Sequence, residues 1–581
     1  MKFHPTNVFQ VTLVCFVLFL SFSCNKDSDL LAEYVVEQPK AFLVNDQVIT
    51  LANSPVTIDP LSNDSFDDKD NVVITEVTPP TIGNAVVNED NTITYTPDPD
   101  ETGTDQFDYS TTVTNPDNTV TEETGSVTVT VTDKTPTEEP VEMGPLKAFP
   151  SAYGAGSNVT GGRGGKVLHV TNLNASGDGS LKAALESSGP AYIVFDISGV
   201  INLPRNGIVI SGAEDKTVLG QTAPEGGITL TGGKFRFNHS KNLIIRYLRS
   251  RPRLDKNGSL TSSDDAHTSA FLFYGTDGLI LDHVSASFAH DKGINFYNND
   301  GIAPKTRNIT VSNSLIADSN TMMNLGNNPQ ADMTNCQNFS VIYNLFGNSR
   351  HRTPNMEALG YGEIINNVVH GWGARLSNVY NGLLLNHIGN YYKNPGLGVV
   401  DNKHQQVGVS AVPLIYTSSN FYTNRLTGSD NEDNRVIWSY FKNKTQLNSS
   451  FFVSTMHPRT IPNPSPILSA QEAYDKILAD VGANKYLDNE GIPQKYIDDY
   501  DQSVISNVKN NRRVEPLNTS NWKLPELPSN ERSSSYDSDK DGMADAWEIR
   551  LFGDLSKEAT GTDASSEYTN IEVFAYQVDF E

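Results

Sequence analysis

The chain has 581 residues, of which 37% are hydrophobic and 19% charged, with 43 glycines and 30 prolines. At about 150 residues per domain this length accommodates two to four domains, and the mix excludes collagen-like, coiled-coil and wholly disordered chains. Forty-three basic against 69 acidic residues leave a net charge of −26, which argues against nucleic acid as a partner but is compatible with a local basic groove for a polyanionic substrate.

Residues 1–24 read as an export signal. Lys2 precedes an apolar run, Val11 to Leu20, that is too short to span a bilayer, and Ser21-Phe22-Ser23-Cys24 follows. A small residue before a cysteine resembles a bacterial lipoprotein cleavage site with Cys24 as the acylated residue, although the usual leucine, Leu20, falls one place early. The alternative is an ordinary secretory signal. Asn25-Lys26-Asp27-Ser28-Asp29 resembles the short charged signal that sends some lipoproteins to the cell surface. The expected location is the bacterial outer membrane, facing outward, or the medium, with membrane contact only through the lipid. With Cys15 lost and Cys24 acylated, Cys336 stands alone and reads as a small buried hydrophobe.

Residues 25–39 read as a tether. Over 40–133 the pattern has period two, in Val72-Val73-Ile74, Thr92-Ile93-Thr94-Tyr95, Phe107-Asp108-Tyr109 and Val127-Thr128-Val129-Thr130-Val131, separated by Pro, Asn, Asp and Gly. That predicts an antiparallel β-sandwich. It resembles bacterial immunoglobulin- or cadherin-like modules, which serve as spacers or bind carbohydrate. Residues 134–146, rich in Thr, Pro and Glu, read as a linker.

From 147 to 400 short apolar runs recur around Asn or Asp, centred on Arg246, Asp282, Asn313, Asn344, Asn367 and Asn390, in steps of 36, 31, 31, 23 and 23. Repeats in the twenties with short strands predict a parallel β-helix, in which stacking makes the core and inserted loops build a groove. Ser469 to Gly482 reads as one amphipathic helix. Residues 521–581 form a tail that carries Asp537-Ser-Asp539-Lys-Asp541-Gly542-Met543-Ala-Asp545-Ala-Trp-Glu548. Its carboxylates fall at loop positions 1, 3, 5, 9 and 12, with Gly at 6 and a carbonyl from Met543 at 7. This is the spacing of an EF-hand-like Ca²⁺ loop, expected to be structural.

Ala148-Phe149-Pro150, Gly161-Gly162-Arg163-Gly164-Gly165-Lys166-Val167, Gly177-Asp178-Gly179-Ser180-Leu181, Val218-Leu219-Gly220-Gln221-Thr222-Ala223-Pro224, Asn242 to Pro252 and Ile280-Leu281-Asp282-His283 resemble the pectate lyases of polysaccharide lyase family one. The resemblance covers about 147–520. It implies an all-β, right-handed parallel β-helix and eliminative cleavage of polygalacturonate, with Ca²⁺ as cofactor and a monomeric chain.

Such an elimination removes the C5 proton beside a uronate carboxylate and expels the glycosidic oxygen at C4. It needs the carboxylate neutralised, the enolate stabilised and a base supplied. The resemblance implies Ca²⁺ ligands at Asp265, Asp291 and Asn295, the last an amide where the family has an acid. It implies a base at Arg352 in Arg352-Thr353-Pro354-Asn355, which lacks the family's second arginine, with Arg350 as a fallback. Asn320 falls where the family has a substrate-binding lysine. Arg350, Arg375 and Lys393 are candidate carboxylate binders. The cluster Arg246, Arg249, Arg251 and Arg253 either lines the groove in part or pairs with carboxylates, and His283 reads as a packed, hydrogen-bonded coil histidine. The departures leave room for a non-catalytic uronan binder or a pectin lyase acting on esterified polymer. A hydrolase needs paired carboxylates, for which Asp264-Asp265 is the candidate, and its accompanying motifs are missing.

Overall fold

The computed structural model describes residues 43, 45–61, 71–114, 119–132, 140–255, 257–259, 269–298, 305–326, 336–395, 405–407, 413–440, 445–515, 518–533 and 536–580. Cys24, the tether 25–39 and Asp264-Asp265 lie outside the described residues. Among the described residues no helix is long and apolar enough to cross a membrane. Residues up to Thr132 and those from Asp133 onward form two compact units.

The first unit is a sandwich of two sheets. One has the order Asp46–Leu51, Val120–Thr132, Gly103–Thr114, Val72–Val77, and the other Val56–Ile58, Ile93–Pro97, Gly83–Val87. All pairings are antiparallel except Asp46–Leu51 with Val120–Thr132, which is parallel. Period-two patterning decides which side chains go inside. Phe107, Tyr109, Val127 and Val129 from the first sheet meet Ile58, Ile93 and Tyr95 from the second in one core. Asp105, itself buried, accepts the Tyr95 hydroxyl at 2.8 Å and the Thr81 and Ile82 N–H groups at 2.6 and 2.9 Å, tying the sheets together.

The second unit is a parallel β-helix. One ladder of ten strands runs from Gly199–Asn202 through Leu248–Arg251, Ser285–Ser287, Leu315–Ala317, Leu345–Gly347, Val368–His370 and Tyr391–Lys393, parallel until the last pair. Apart from a small antiparallel pair, Lys485–Leu487 with Pro493–Lys495, the remaining strands form two further ladders that diverge from the long strands Phe235–Arg246 and Ser269–Asp282. One continues through Lys292–Tyr297, Thr321–Leu325, Asn355–Glu357, Asn378–Tyr380 and Gln405–Val407. The other continues through Arg307–Ser312, Phe339–Ile342, Tyr361–Ile365, Leu384–Ile388 and Leu414–Ser418.

Inward side chains stack like on like along the axis. Phe237 stacks on Phe273, and Phe273 on Phe296, each pair at 4.9 Å. At one corner buried asparagines repeat the same rung. Asn344 Oδ1 accepts the Ser314 N–H at 3.0 Å, Asn367 accepts from Asn344 and Asn390 from Asn367, both after 23 residues, and Asn420 and Asn434 continue the series. Each rung satisfies backbone that a tight corner leaves unpaired. Spacing alone aligns Asn313 with Asn344, and the structure corrects it by one residue. Ser314 lies opposite Asn344, while Asn313 adopts a left-handed φ of 48° and donates to Asp282 at 2.8 Å.

The C-terminal residues pack back onto the helix. Ala470–Ala479, with Ser469 and Glu472 forming a capping box, and Asp499–Lys509 bury Ala473, Ile477, Val504 and Val508 against Leu315, Leu345 and Val368. Met543, Trp547, Tyr568, Phe574 and Tyr576 bury against Tyr192, Val194, Leu219, Ile244 and Ile280.

Candidate active site

Alternation orients the site. In the ladder that carries Lys292–Tyr297, Ile294, Phe296, Met323, Leu325, Met356 and Val379 enter the core. The intervening residues face outward. Register therefore aligns Asn295, Asn324, Asn355, Asn378 and Gln406 in one row across the outer face. Glu357 and Tyr380 are aligned in the neighbouring row. The buried amide oxygens of Asn355 and Asn378 have no hydrogen-bond partner among the described residues.

Arg350, His351 and Arg352 lie in the turn that leads into Asn355–Glu357, and Arg375 in the turn one coil later. Arg352 has a left-handed φ of 64°. Its Nη1 donates to Asn324 Oδ1 at 3.1 Å, and its Nε has no partner among the described residues. Burial lowers the Arg352 pKa from the usual guanidinium value, against the pull of Tyr380, Asp291 and Glu357. Arg375 is lowered to about 10, by burial and then by Arg352. His351 is pushed down to about 4 by burial, Arg375 and Arg352, and is neutral at ordinary pH. Arg350 is exposed and donates to Asn320 Oδ1 at 3.1 Å. Three guanidiniums thus converge around one neutral imidazole, an arrangement suited to a polyanion.

Among the described residues the expected ligands of a catalytic cation, Asp291 and Asn295, supply fewer oxygens than a hard divalent ion takes. The Asp291 carboxylate pairs with the Lys292 ammonium, and Asn295 Oδ1 lies 3.5 Å from Asn324 Nδ2. Among the described residues the groups of three carboxylates close enough to hold a metal are Asp537, Asp539 and Asp541, and Asp539, Asp545 and Glu548. None lies at Arg352.

One expectation is corrected and one open alternative is decided. Lys393 ends the strand Tyr391–Lys393 of the ten-stranded ladder, aligned with His370, and its ammonium lies 5.8 Å from the Tyr474 ring of the packed helix. It belongs to a different face from Arg352. Arg246, Arg249 and Arg251 do not line a groove. They are at most 2% exposed and pair with carboxylates, Arg246 with Asp282 at 2.9 Å, Arg249 with Asp498 at 3.0 Å, and Arg251 with Asp498 and Asp501 at 2.7 and 3.1 Å. The C-terminal segment covers the outer face on which they stand. His283 is packed, with Nδ1 2.7 Å from Asp282 and its ring stacked on Tyr247.

In the loop 537–548 the carboxylates of Asp537, Asp539 and Asp541 lie close together, as do those of Asp539, Asp545 and Glu548. Gly542 takes a φ of 91°, and Asp537 accepts the Asp541 and Gly542 N–H groups at 3.1 and 3.0 Å. Glu548 stands on the first turn of Asp545–Phe552, fully buried, with neither carboxylate oxygen hydrogen-bonded among the described residues. Burial first, then mutual repulsion, raises Asp541 to about 8 and Glu548 to about 10. A buried carboxylate with no partner among the described residues and four more around it is a donor set that fits Ca²⁺.

A bacterial immunoglobulin domain family model matches residues 37–132. A probable pectate lyase C of Emericella nidulans is 30% identical over 437 residues, which span 74% of this chain and 92% of that protein. The chain belongs to the pectate lyase family. A probable pectate lyase C of Aspergillus flavus is likewise 30% identical, over 74% of this lyase chain and 93% of its own length. Among solved structures, the cedar-pollen allergen Jun a 1 is 18% identical, covering 57% of this chain and 92% of its own with a TM-score of 0.41. A Bacillus sp. N165 pectate lyase in complex with trigalacturonate is 16% identical, covering 57% and 98% with a TM-score of 0.42.

In this lyase Asn324, Asn378, Glu357 and Tyr380 join the site without having been singled out from sequence, and Asn355, noted there only in place of the family's second arginine, stands in the same row. Their outward orientation follows from alternation, but their alignment depends on turn lengths that sequence does not specify.

Proposed function

We propose that this protein is a polysaccharide lyase that cleaves polygalacturonate by β-elimination, with Arg352 as the base. The observation that carries the reading is the placement of Arg352 on the outer face, half-buried, held by Asn324 and adjoining Arg375, so that its charged form is disfavoured. Guanidinium is ordinarily too strongly basic to lose its proton. Desolvation acts in the direction the chemistry needs.

In the proposed step Arg352 takes the C5 proton. The C5–H electron pair becomes the C4–C5 double bond, and the C4–O pair leaves on the glycosidic oxygen, which is protonated from solvent. Arg350 and Arg375 orient the uronate carboxylates. Asp291 and Asn295, with Asp265, would hold a Ca²⁺ whose chemistry is to withdraw charge from the carboxylate and acidify C5. A second Ca²⁺ belongs in 537–548, where it supports the fold. The export reading adds anchorage of a monomer at the bacterial surface through an acylated Cys24.

The amide at Asn295 and the pairing of Asp291 with Lys292 favour a second reading, a lyase for methyl-esterified chains that depends less on a catalytic cation. Ultraviolet absorbance of the new double bond tests both, using residues 25–581 on polygalacturonate and on methylated pectin, with Ca²⁺ and with chelator, beside Arg352→Ala. A calcium-dependent rise on polygalacturonate that Arg352→Ala abolishes supports the first reading. A calcium-independent rise on methylated pectin supports the second. No rise on either overturns both and leaves a uronan-binding protein.

A further inference from the structure

Three side chains on the same outer face, N-terminal to Arg352, have no place in the elimination. Tyr274 and Tyr297 are aligned across adjacent strands, with ring centroids 4.9 Å apart and planes inclined by 38°. The Arg236 guanidinium lies 4.1 Å from the Tyr274 centroid, and its Nε donates to Asn238 Oδ1 at 2.7 Å. All three are half-buried. Their inward neighbours Phe235, Phe237, Phe271, Phe273 and Phe296 belong to the core, so these three face out. Register also aligns Arg236, through Leu272, with Asn295, and Asn295 with Asn324, the acceptor of Arg352. Asp291 lies close enough for its charge to act on Tyr274.

We propose that Arg236, Tyr274 and Tyr297 form a distal saccharide subsite for an acidic oligosaccharide. It rests on the reading of Arg352 as the cleavage centre. The chemistry matches a uronan on two counts. The phenol rings offer an apolar surface with a polar rim, against which the C–H face of a pyranose packs. The guanidinium, held by a ring and by an amide oxygen, presents its remaining N–H groups to a carboxylate. The occupant is a continuous chain. At a strand spacing of about 4.8 Å, the platform lies about 10–14 Å along the face from the Asn355–Glu357 strand, which several linked sugars bridge and one does not. Continuity with the Arg352 face and charge complementarity select an acidic glycan over an apolar partner.

The test is calorimetric binding in an Arg352→Ala background, which removes turnover, using digalacturonate and hexagalacturonate as probes. Tyr297→Ala and Arg236→Gln are each expected to weaken hexagalacturonate binding about tenfold, about 1.4 kcal/mol, while digalacturonate binding changes by less than about twofold. Tyr274→Phe, which keeps the ring, retains hexagalacturonate affinity. Melting temperatures identify any variant that has lost its fold, and Tyr297→Leu then replaces Tyr297→Ala. Equal weakening for both probes, or none for either, overturns the subsite and leaves the three residues as outer-face packing. A wild-type chain that makes no unsaturated product, yet binds hexagalacturonate through Tyr297 and Arg236, overturns the lyase reading and keeps the subsite.

Discussion

Arg352 Nη1 and Asn324 Oδ1 meet at 3.1 Å across adjacent coils of the β-helix. The amide accepts from the guanidinium without adding a charge. A carboxylate in that place would hold the proton on Arg352, and a cation would repel it. The neutral partner therefore fixes the direction of the side chain while leaving its basicity to burial, which outweighs Tyr380, Asp291 and Glu357.

Asn324→Asp is expected to raise the Arg352 pKa and to lower kcat/KM on polygalacturonate about tenfold on the acid side of the profile. The measurement is the pH dependence of kcat/KM. A profile that keeps its position while its height falls would separate Arg352 from the titrating base.

Loss of calcium from 537–548 is expected to act on stability. At a thousandfold excess over its dissociation constant, calcium bound only by the folded state contributes about 4 kcal/mol. Chelator should lower the melting temperature of the wild type, while Glu548→Gln should melt lower in calcium and respond little to chelator. Using Arg352→Ala as host keeps turnover out of the comparison. Identical chelator responses from host and Glu548→Gln would place the stabilising ion elsewhere.

His283 predicts a loss of stability in alkali. Burial opposes its charged form, but Asp282 and Asp480 outweigh burial and lift its pKa to about 9. A histidine raised in this way adds stability that is complete below its unfolded value near 6.5 and fades as pH rises through 9. The contribution is up to about 3 kcal/mol, since each tenfold gain in proton affinity is worth about 1.4 kcal/mol. Urea denaturation from pH 6 to 9.5 should show this decline, and His283→Gln should flatten it. The lowered pKa values of Asp282 and Asp480 place a separate loss on the acid side, below about 4.

Arg251→Met leaves Asp501 buried without its guanidinium and Asp498 with Arg249 alone. Removing one partner of a buried ion pair costs about 3–5 kcal/mol. The combined variant with Asp501→Asn should recover most of it, because the uncompensated carboxylate is then gone while Asp498 stays paired with Arg249. Urea midpoints at neutral pH measure both. A single variant as stable as the wild type would show that neighbouring groups already neutralise the carboxylates.

Much of the fold was legible because each coil must place the same residue type at the same point of the turn. Asn344, Asn367 and Asn390 marked the corner directly, and period-two runs marked the sandwich. The extension to Asn420 and Asn434 was hidden by steps of 30 and 14 residues, which depart from the preceding 23. The site was legible only in part. Arg352, Arg350 and Arg375 gather in successive turns, but Asn324 was obscured by the choice of Asn320, which instead accepts from Arg350. For the arginines at 246, 249 and 251 the sequence left groove and carboxylate pairing both open, and the structure shows the pairing. Alternation gives the side of a strand, and it does not say whether solvent or residues 480–580 cover that side.

The asparagine corner also bears on the length of the groove. Along 344, 367 and 390 each amide accepts from the coil before it and donates to backbone of its own and the preceding coil, as Asn367 does to Ile365 and Val341. No rung requires a particular neighbour beyond the next identical amide. A duplicated coil of 23 residues, spliced between two such rungs, would find both of its hydrogen-bonding faces already in place. The array is modular in that sense: a chain of this design can lengthen its substrate track by copying one unit, with no new interface to invent.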